Sequence, residues 1–459
     1  MMGICGTAMG SLAGLLKERG FQVSGSDQNV YPPMSTQLEN LGIKIMQGYK
    51  RENLTPRPDF VIVGNVISKT FDEADELLKS DIPYTSLPKA MGEIIIADRH
   101  SIVVSGTHGK TTTTSLMSWI AQSLGMKPGF MIGGIPKNFG KSYQVPVGDW
   151  FVIEGDEYDT AFFDKVPKFI HYRPRSVILT SVEFDHADIY RDLDHVKEAF
   201  TKLLTLIPEN GNLITNAEDE NILSILKSAK VKNIKTFGLK KGDYQAHNIK
   251  PESTGGVSFD VVAGGKTLNR VKTKMIGDYN IRNALAAYAL AKELGWNEAK
   301  VAEALATFEG VKRRQEIIGQ PGGITLIEDF AHHPTAVGQT IATVQARYPN
   351  AKVFSIFEAR SATSRRKVFQ KEYVDAFSQA HAVLLPPAYD QSKIAEDDRF
   401  STDDLIRDIR ARGTQADLCD SVDDIVAKVK ERAKKGDVVL IMSNGGFGGI
   451  YQKLKDALK

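Results

Sequence analysis

The chain has 459 residues, too many for one ordinary hydrophobic core, and at roughly 150 residues per domain about three domains are expected. Apolar residues (42%) and charged residues (25%) have the balance of a folded globular chain, and the formal charge of +2 argues against nucleic acid or an anionic membrane as the main partner, since both reward a strongly basic surface. Two distant cysteines, Cys5 and Cys419, exclude a disulfide framework or a thiolate zinc site and favour a reducing cytoplasm, and no apolar run reaches the ~20 residues that span a bilayer.

The apolar opening over 1–16 lacks the charged start and small-residue cleavage site of a secretory signal; its glycines, Gly3, Gly6 and Gly10, are spaced for a turn. Beyond it, short apolar runs alternate with amphipathic helical stretches. Strands are expected over 60–63, 101–104, 151–153, 177–179, 352–356 and 438–442, the rhythm of βαβ units and parallel sheets, so the fold class is α/β. One boundary falls near Leu87-Pro88, before the strand that starts at Ser101. A second falls near Gly310, before Arg313-Arg314. The expected division is therefore 1–98, 99–312 and 313–459. Alternating residues with paired glycines over 254–274 predict a small antiparallel insertion in the middle domain.

The strongest chemical signal follows the strand at 101–104. It is Gly106-Thr107-His108-Gly109-Lys110-Thr111-Thr112, leading into a helix expected over 115–123. Strand, glycine-rich turn, Lys-Thr and helix form a phosphate cradle: backbone N–H groups face the anion, Lys110 reaches the β- and γ-phosphates, and the Thr111 hydroxyl binds Mg²⁺. Glu154-Gly155-Asp156-Glu157 closes the next strand, and Glu154, directly after its apolar residues, is placed to hold the metal. A third strand leads to Glu183-Phe184-Asp185-His186. Lys110, Glu154 and His186 all follow strand ends, where ligands gather in doubly wound sheets.

Asn280 reads as a helix N-cap, and Asn283 lies one turn on; the amide of asparagine also matches the N6 and N7 edge of adenine. In the last third, Asp329-Phe330-Ala331-His332-His333-Pro334 follows another strand. Adjacent histidines point in different directions and no third ligand stands nearby, so Asp329 is read as a hydroxyl acceptor rather than the pair as a zinc site. Arg360, Ser364 and Arg365 follow the strand at 352–356, and Ser443-Asn444-Gly445 follows the strand at 438–442. Arginine grips carboxylates with two prongs and glycine lets a substrate backbone approach.

Taken together, these ordered motifs resemble the Mur ligases, ATP-dependent amide-bond-forming enzymes of peptidoglycan synthesis, over essentially the whole chain. The resemblance implies a Rossmann-like UDP-binding domain, a central P-loop ATPase domain and a Rossmann-like C-terminal domain. It implies ATP and Mg²⁺ as cofactors, a cytoplasmic monomer or homodimer, and no nucleic-acid or membrane partner. By the same resemblance Lys110 and Arg314 would hold the γ-phosphate, with Gly106, Thr107, His108, Gly109, Thr111 and Thr112 around it. Thr111, Glu154 and His186 would hold the metal, Asn280 and Asn283 adenine, and Asp329 the ribose. Gly3, Gly6, Ser26, Asp27 and Asn65 match the UDP-binding region, and Arg360, Ser364, Arg365, Asn444 and Gly445 fall to the peptide.

The stretches 25–35, 156–165 and 442–449 are similar to the branch that joins UDP-N-acetylmuramate to a recycled tripeptide, L-Ala-γ-D-Glu-meso-diaminopimelate. The rival within the family is the branch that adds free L-alanine; the rival outside it is a nucleotide switch or ATPase that shares only the phosphate loop. Two departures stand out. The chain starts at the glycine turn, where the family carries a preceding strand, and Tyr279 stands where histidine is common.

Overall fold

The computed structural model describes residues 1–30, 34–253 and 255–459; Tyr31, Pro32 and Pro33 of the 25–35 stretch, and Thr254 at the start of the expected insertion, lie outside the described residues. The chain forms two compact units. The first comprises Met1–Phe184, Asp192–Met275 and Asn280–Gly310; the second comprises Asp185–Arg191, Ile276–Tyr279 and Val311–Lys459. Among the described residues, no helix is long and apolar enough to cross a membrane, and both cysteines are free.

In the first unit the chain opens as a small parallel assembly. Ser24–Asp27 pairs with Lys44–Gln47, and Val61–Val63 pairs with Tyr84–Ser86. Met2 forms parallel bridges to both Ser26 and Val63, so the first residues sit between the two pairs. The glycine turn then leads straight into the helix Thr7–Glu18, whose buried face carries Met9, Leu12, Ala13, Leu15 and Leu16.

The rest of the unit is built on a sheet of ten strands among the described residues. Its order is Lys266–Thr273, Val257–Ala263, Tyr244–Pro251, Asn233–Gly238, Asn212–Asn216, Ser176–Leu179, His100–Ser105, Trp150–Gly155, Gly129–Met131, Tyr143–Gln144. Neighbours are parallel from Tyr244–Pro251 across to Gly129–Met131, and the central strands are apolar on both faces, as expected for strands covered by helices. The antiparallel insertion is there, but it begins earlier than expected. Tyr244–Pro251 already belongs to it while pairing parallel with Asn233–Gly238, so it continues the large sheet.

A polar ladder runs along the amino ends of these strands, at the edge opposite the phosphate turn. His100 Nε2 bonds Ser176 Oγ (2.8 Å), Asn212 Nδ2 donates to the same hydroxyl (3.2 Å), and Asn233 Nδ2 links Asn212 Oδ1 (2.7 Å) to Glu293 Oε2 (2.9 Å). Burial, then the Arg175 charge, lowers the His100 pKa to about 4. The sign follows directly. Between about pH 6.5 and 4 the unfolded imidazole binds a proton that the folded one refuses, so stability is complete above the unfolded pKa and falls as pH drops through this window. A His100→Gln variant should lose that slope, and urea unfolding at pH 7 and pH 4.5 measures it; an unchanged slope would refute the assignment.

The second unit carries one sheet of six strands, in the order Glu316–Gly319, Thr325–Asp329, Val438–Met442, Val353–Phe357, Ala382–Leu385, Gln415–Leu418. Only the first pairing is antiparallel. Successive residues feed opposite apolar layers: Val438, Leu440 and Met442 join one, Val439 and Ile441 the other. The carboxyl ends of Thr325–Asp329, Val438–Met442, Val353–Phe357 and Ala382–Leu385 therefore lie side by side.

Candidate active site

The phosphate turn follows the strand His100–Ser105, which lies between Ser176–Leu179 and Trp150–Gly155. Thr107 N donates to Ser181 O (2.9 Å), His108 N to Ser181 Oγ (3.0 Å), and Thr180 Oγ1 to His108 O (2.5 Å), so the turn is tied down along its length. His108 Nε2 lies 3.2 Å from Glu183 Oε2, and Thr107 Oγ1 accepts from Glu183 N at 2.8 Å. The helix that follows is Lys110–Ser123, five residues longer than expected, and Thr111 and Thr112 are buried in its first turn. Its N-cap, Gly109, has φ +80° and no side chain to cap the helix, and the amino terminus of a helix suits an anion. A Cβ at Gly109 would come within 2.7 Å of Asn283 Oδ1, so the asparagine amide lies directly over the turn.

The Lys110 ammonium donates to Gly106 O (2.6 Å) and to both oxygens of Glu157 (3.1 and 2.9 Å). Burial pulls its pKa down, but Glu157 first, then Asp156 and Glu154, outweigh this and raise it, so the cation is secure at neutral pH. Glu157 received no role from the sequence; its position inside the acidic run was the available signal. Glu154 accepts from Thr111 Oγ1 at 3.1 Å and from Gly133 N at 2.6 Å. A hydroxyl and a carboxylate so close together are hard oxygen donors, the set that suits Mg²⁺.

Asn280 and Asn283 are buried, with Asn283 Nδ2 3.4 Å from Asn280 Oδ1. Their helix is Asp278–Glu293, so Asn280 lies inside its first turn rather than at the N-cap. Near the chain start, Gly3 N donates to the backbone of buried Ser26, Gly6 caps the helix Thr7–Glu18, and Asp27 accepts from Cys5 N (2.8 Å) and Asn29 N (2.9 Å). Asn65 is engaged elsewhere, its Nδ2 donating to Asp159 O at 2.7 Å.

In the second unit both Asp329 oxygens accept backbone amides, from Gln315 N (2.8 Å) and Ala331 N (2.7 Å). Burial raises its pKa despite the Arg314 charge. Gln315 also donates its side chain to the Tyr279 hydroxyl, which joins the unusual tyrosine to Asp329. Arg314 lies over the Phe330 ring, 4.7 Å from its centre. His332 Nδ1 is 3.0 Å from Phe330 O, whereas His333 caps the helix Pro334–Arg347, so the two histidines serve separate partners. His186 takes φ +56° in the segment Asp185–Arg191. Burial would raise the pKa of Asp185 beside it, but His186, His332 and His333 hold that carboxyl well below the usual range.

At the carboxyl end of Val353–Phe357, buried Glu358 accepts from Ser443 Oγ (2.6 Å), and Arg360 lies against Gly445. Gly445 O in turn accepts from Arg313 (2.7 Å), and Asn444 lies between these anchors. Ser364 is buried, and Arg365 is engaged by its own loop and by a neighbouring one. The Ser364 hydroxyl takes a bond from Ser361 Oγ (2.9 Å), and Arg365 donates to Ser361 O (3.3 Å) and to Asp390 O. The structure thus brings Arg360, Asn444 and Gly445 together and gives Arg365 to the neighbouring loop.

Comparison with known proteins agrees along the chain. Residues 1–99 match the model described as Mur ligase family, catalytic domain; residues 104–291 match the Mur ligase middle domain; residues 313–445 match the Mur ligase, glutamate ligase domain. A UDP-N-acetylmuramate–L-alanyl-γ-D-glutamyl-meso-2,6-diaminoheptandioate ligase of Escherichia coli K12 is 39% identical over 100% of this chain and 97% of its own. A UDP-N-acetylmuramate–L-alanine ligase of Clostridium tetani is 33% identical over 98% of this chain and 95% of its own. Among solved structures, a murein peptide ligase from Psychrobacter arcticus 273-4 matches with TM-score 0.74 and 36% identity, covering 100% of this chain and 98% of its own. A UDP-N-acetylmuramate–alanine ligase from Thermotoga maritima matches with TM-score 0.80 and 25% identity, over 99% and 97%.

Proposed function

The chain belongs to the Mur ligase family, and from that premise we propose that it joins the lactyl carboxylate of UDP-N-acetylmuramate to the amino group of L-Ala-γ-D-Glu-meso-diaminopimelate at the expense of ATP. The observation that carries the ligase reading is the grouping of Lys110, Thr111 and Glu154 within hydrogen-bond reach of one turn. The choice of tripeptide rests on the higher identity to the E. coli ligase (39%) than to the alanine-adding relative (33%). The proposed division of labour is 1–98 for the UDP-sugar, 99–312 for ATP and 313–459 for the peptide.

The chemistry requires activation, because a carboxylate and an amine do not condense in water. One lactyl oxygen attacks the γ-phosphorus of ATP and ADP leaves, giving an acyl phosphate. The peptide amine, its ammonium proton released to solvent, attacks the carbonyl carbon; phosphate leaves with its bridging oxygen, and the second N–H proton passes to the departing phosphate. Lys110 and the amino-terminal amides of the helix Lys110–Ser123 stabilise charge on the transferring phosphoryl oxygens. Thr111, Glu154 and His186 are the residues assigned to Mg²⁺, which when bound neutralises phosphate charge. Asn280, Asn283 and Asp329 orient the nucleoside, and no residue forms a covalent bond to substrate. The setting is the cytoplasm, where a recycled wall peptide would be reused.

The test is phosphate release with ATP, UDP-N-acetylmuramate and a panel of amines. The tripeptide should support rapid release and L-alanine little. Faster turnover with L-alanine would transfer the chain to the alanine-adding branch.

A further inference from the structure

The loop after Ala382–Leu385 carries Tyr389, a residue that nothing in the sequence singled out. The residue is 44% exposed and so does not serve the core. The Arg360 guanidinium carbon lies 3.9 Å from the ring centre. A Cβ added to Gly445 would come within 2.3 Å of Arg360 Nε and 2.4 Å of its Cδ, so the arginine also rests on bare backbone. Arg360 thus touches both an aromatic ring and a glycine. The Glu358 carboxylate lies 3.5 Å from NH1 through one oxygen, longer than the ~2.7–2.9 Å of a strong charged bond, and its other oxygen accepts from Ser443. The Arg360 side chain remains 30% exposed.

The loop itself is fixed at the tyrosine and over the two residues after it. Tyr389 N donates to Ala359 O at 3.0 Å, Asp390 O accepts from Arg365, and Gln391 Nε2 ties Arg365 O (2.8 Å) to Phe400 O (3.0 Å). Arg365 therefore acts on the same arginine at one remove, by anchoring the loop that stacks on it.

We propose that Tyr389 is a positioning residue that sets specificity for the second substrate: with Gly445 it clamps the plane of Arg360 so that the guanidinium edge pairs with a carboxylate of the incoming peptide. This rests on the peptide-ligase reading above. With the Tyr389 ring over its face, the guanidinium has the N–H groups along its edge to offer, and such an edge matches a carboxylate in two-pronged fashion. A small neutral-side-chain amino acid gains less from this grip than a peptide with several carboxylates.

The test is steady-state kinetics on the full chain, varying ATP, UDP-N-acetylmuramate and tripeptide in turn. Arg360→Ala should raise the tripeptide KM by roughly 30–100-fold, the loss expected for a two-pronged charged pair. Tyr389→Ala should raise it by about 5–10-fold, and Tyr389→Phe, which keeps the ring, should bring it back to within about twofold. Gly445→Ala should raise it by roughly 10-fold or more by evicting the guanidinium, while the KM values for ATP and UDP-N-acetylmuramate move less than about twofold in every variant. Peptides amidated at one carboxylate at a time complete the test. One amide should cost wild type as much as Arg360→Ala does, and Tyr389→Ala should add nothing to that loss. A Tyr389→Ala tripeptide KM equal to wild type, beside a raised one for Arg360→Ala, overturns the proposal and leaves the ligase reading intact. Equal rises in all three KM values overturn it as well. If wild type does not use the tripeptide at all, the underlying reading fails instead.

Discussion

Lys110→Ala should abolish useful amide formation, lowering kcat by about 1,000-fold or more, because the ammonium acts where charge develops on the transferring phosphoryl group. UDP-N-acetylmuramate affinity, measured by calorimetry, should change little, since the contacts of Lys110 are to Gly106, Thr107 and Glu157. The same change has a cost in stability. The Glu157 side chain is 2% exposed and Lys110 15%, so removing the cation breaks a buried ion pair from one side, at about 3–5 kcal/mol. The double variant Lys110→Ala/Glu157→Gln separates the two effects: it should regain most of the lost thermal stability and none of the activity. Retention of more than a few per cent of turnover in Lys110→Ala would remove the lysine from the chemistry.

The second large effect belongs to Glu154. Glu154→Gln keeps one oxygen for Gly133 N and turns an amide N–H toward Thr111 Oγ1, a hydroxyl that can accept it, so the fold around it should persist. What it loses is charge at the proposed metal position, and the Mg²⁺ concentration for half-maximal activity should rise by about 100-fold, with several kcal/mol of transition-state stabilisation lost at ordinary Mg²⁺. Mn²⁺ should substitute for Mg²⁺ in wild type, and Zn²⁺ should not rescue the variant, since the donors are mainly hard oxygens. Wild-type Mg²⁺ dependence in Glu154→Gln, or activity that only zinc restores, would overturn the metal assignment.

Much of the scaffold was legible because apolar runs bounded by turn residues leave little choice. The strand Val438–Met442 has the limits its sequence predicts. The helix after the phosphate turn was harder to read, because four consecutive threonines disfavour helix by propensity. Tertiary packing overrides this. Thr111 to Thr114 are buried, and Thr114 Oγ1 and Ser115 Oγ donate back to Lys110 O (2.8 Å) and Thr111 O (2.7 Å), which satisfies their hydroxyls inside the helix. Asn280 was misplaced by one turn for a related reason: the helix already starts at Asp278, ahead of the residue with the stronger capping signal.

At the site, Lys110 could be found from the glycine-rich turn after its strand, and Glu154 from the end of an apolar run; Glu154 in fact lies inside the strand Trp150–Gly155. Glu157 could not be ranked above its acidic neighbours, since only the folded chain shows which carboxylate meets the ammonium. Tyr389 was out of reach altogether. Its approach to Arg360 depends on the parallel register of Phe354 with Ala382 and Ile356 with Leu384, a long-range pairing that no local pattern encodes.

The account stands or falls on where the phosphate oxygen comes from. UDP-N-acetylmuramate labelled with ¹⁸O in its lactyl carboxylate, incubated with ATP, Mg²⁺, tripeptide and the full chain, should give one labelled oxygen in each phosphate released. UDP-N-acetylmuramoyl-tripeptide should form in equal amount, and no phosphate should be released when the UDP-sugar is left out. Unlabelled phosphate, or ATP turnover that continues without UDP-N-acetylmuramate, would contradict carboxylate activation and leave a phosphate-loop ATPase in its place.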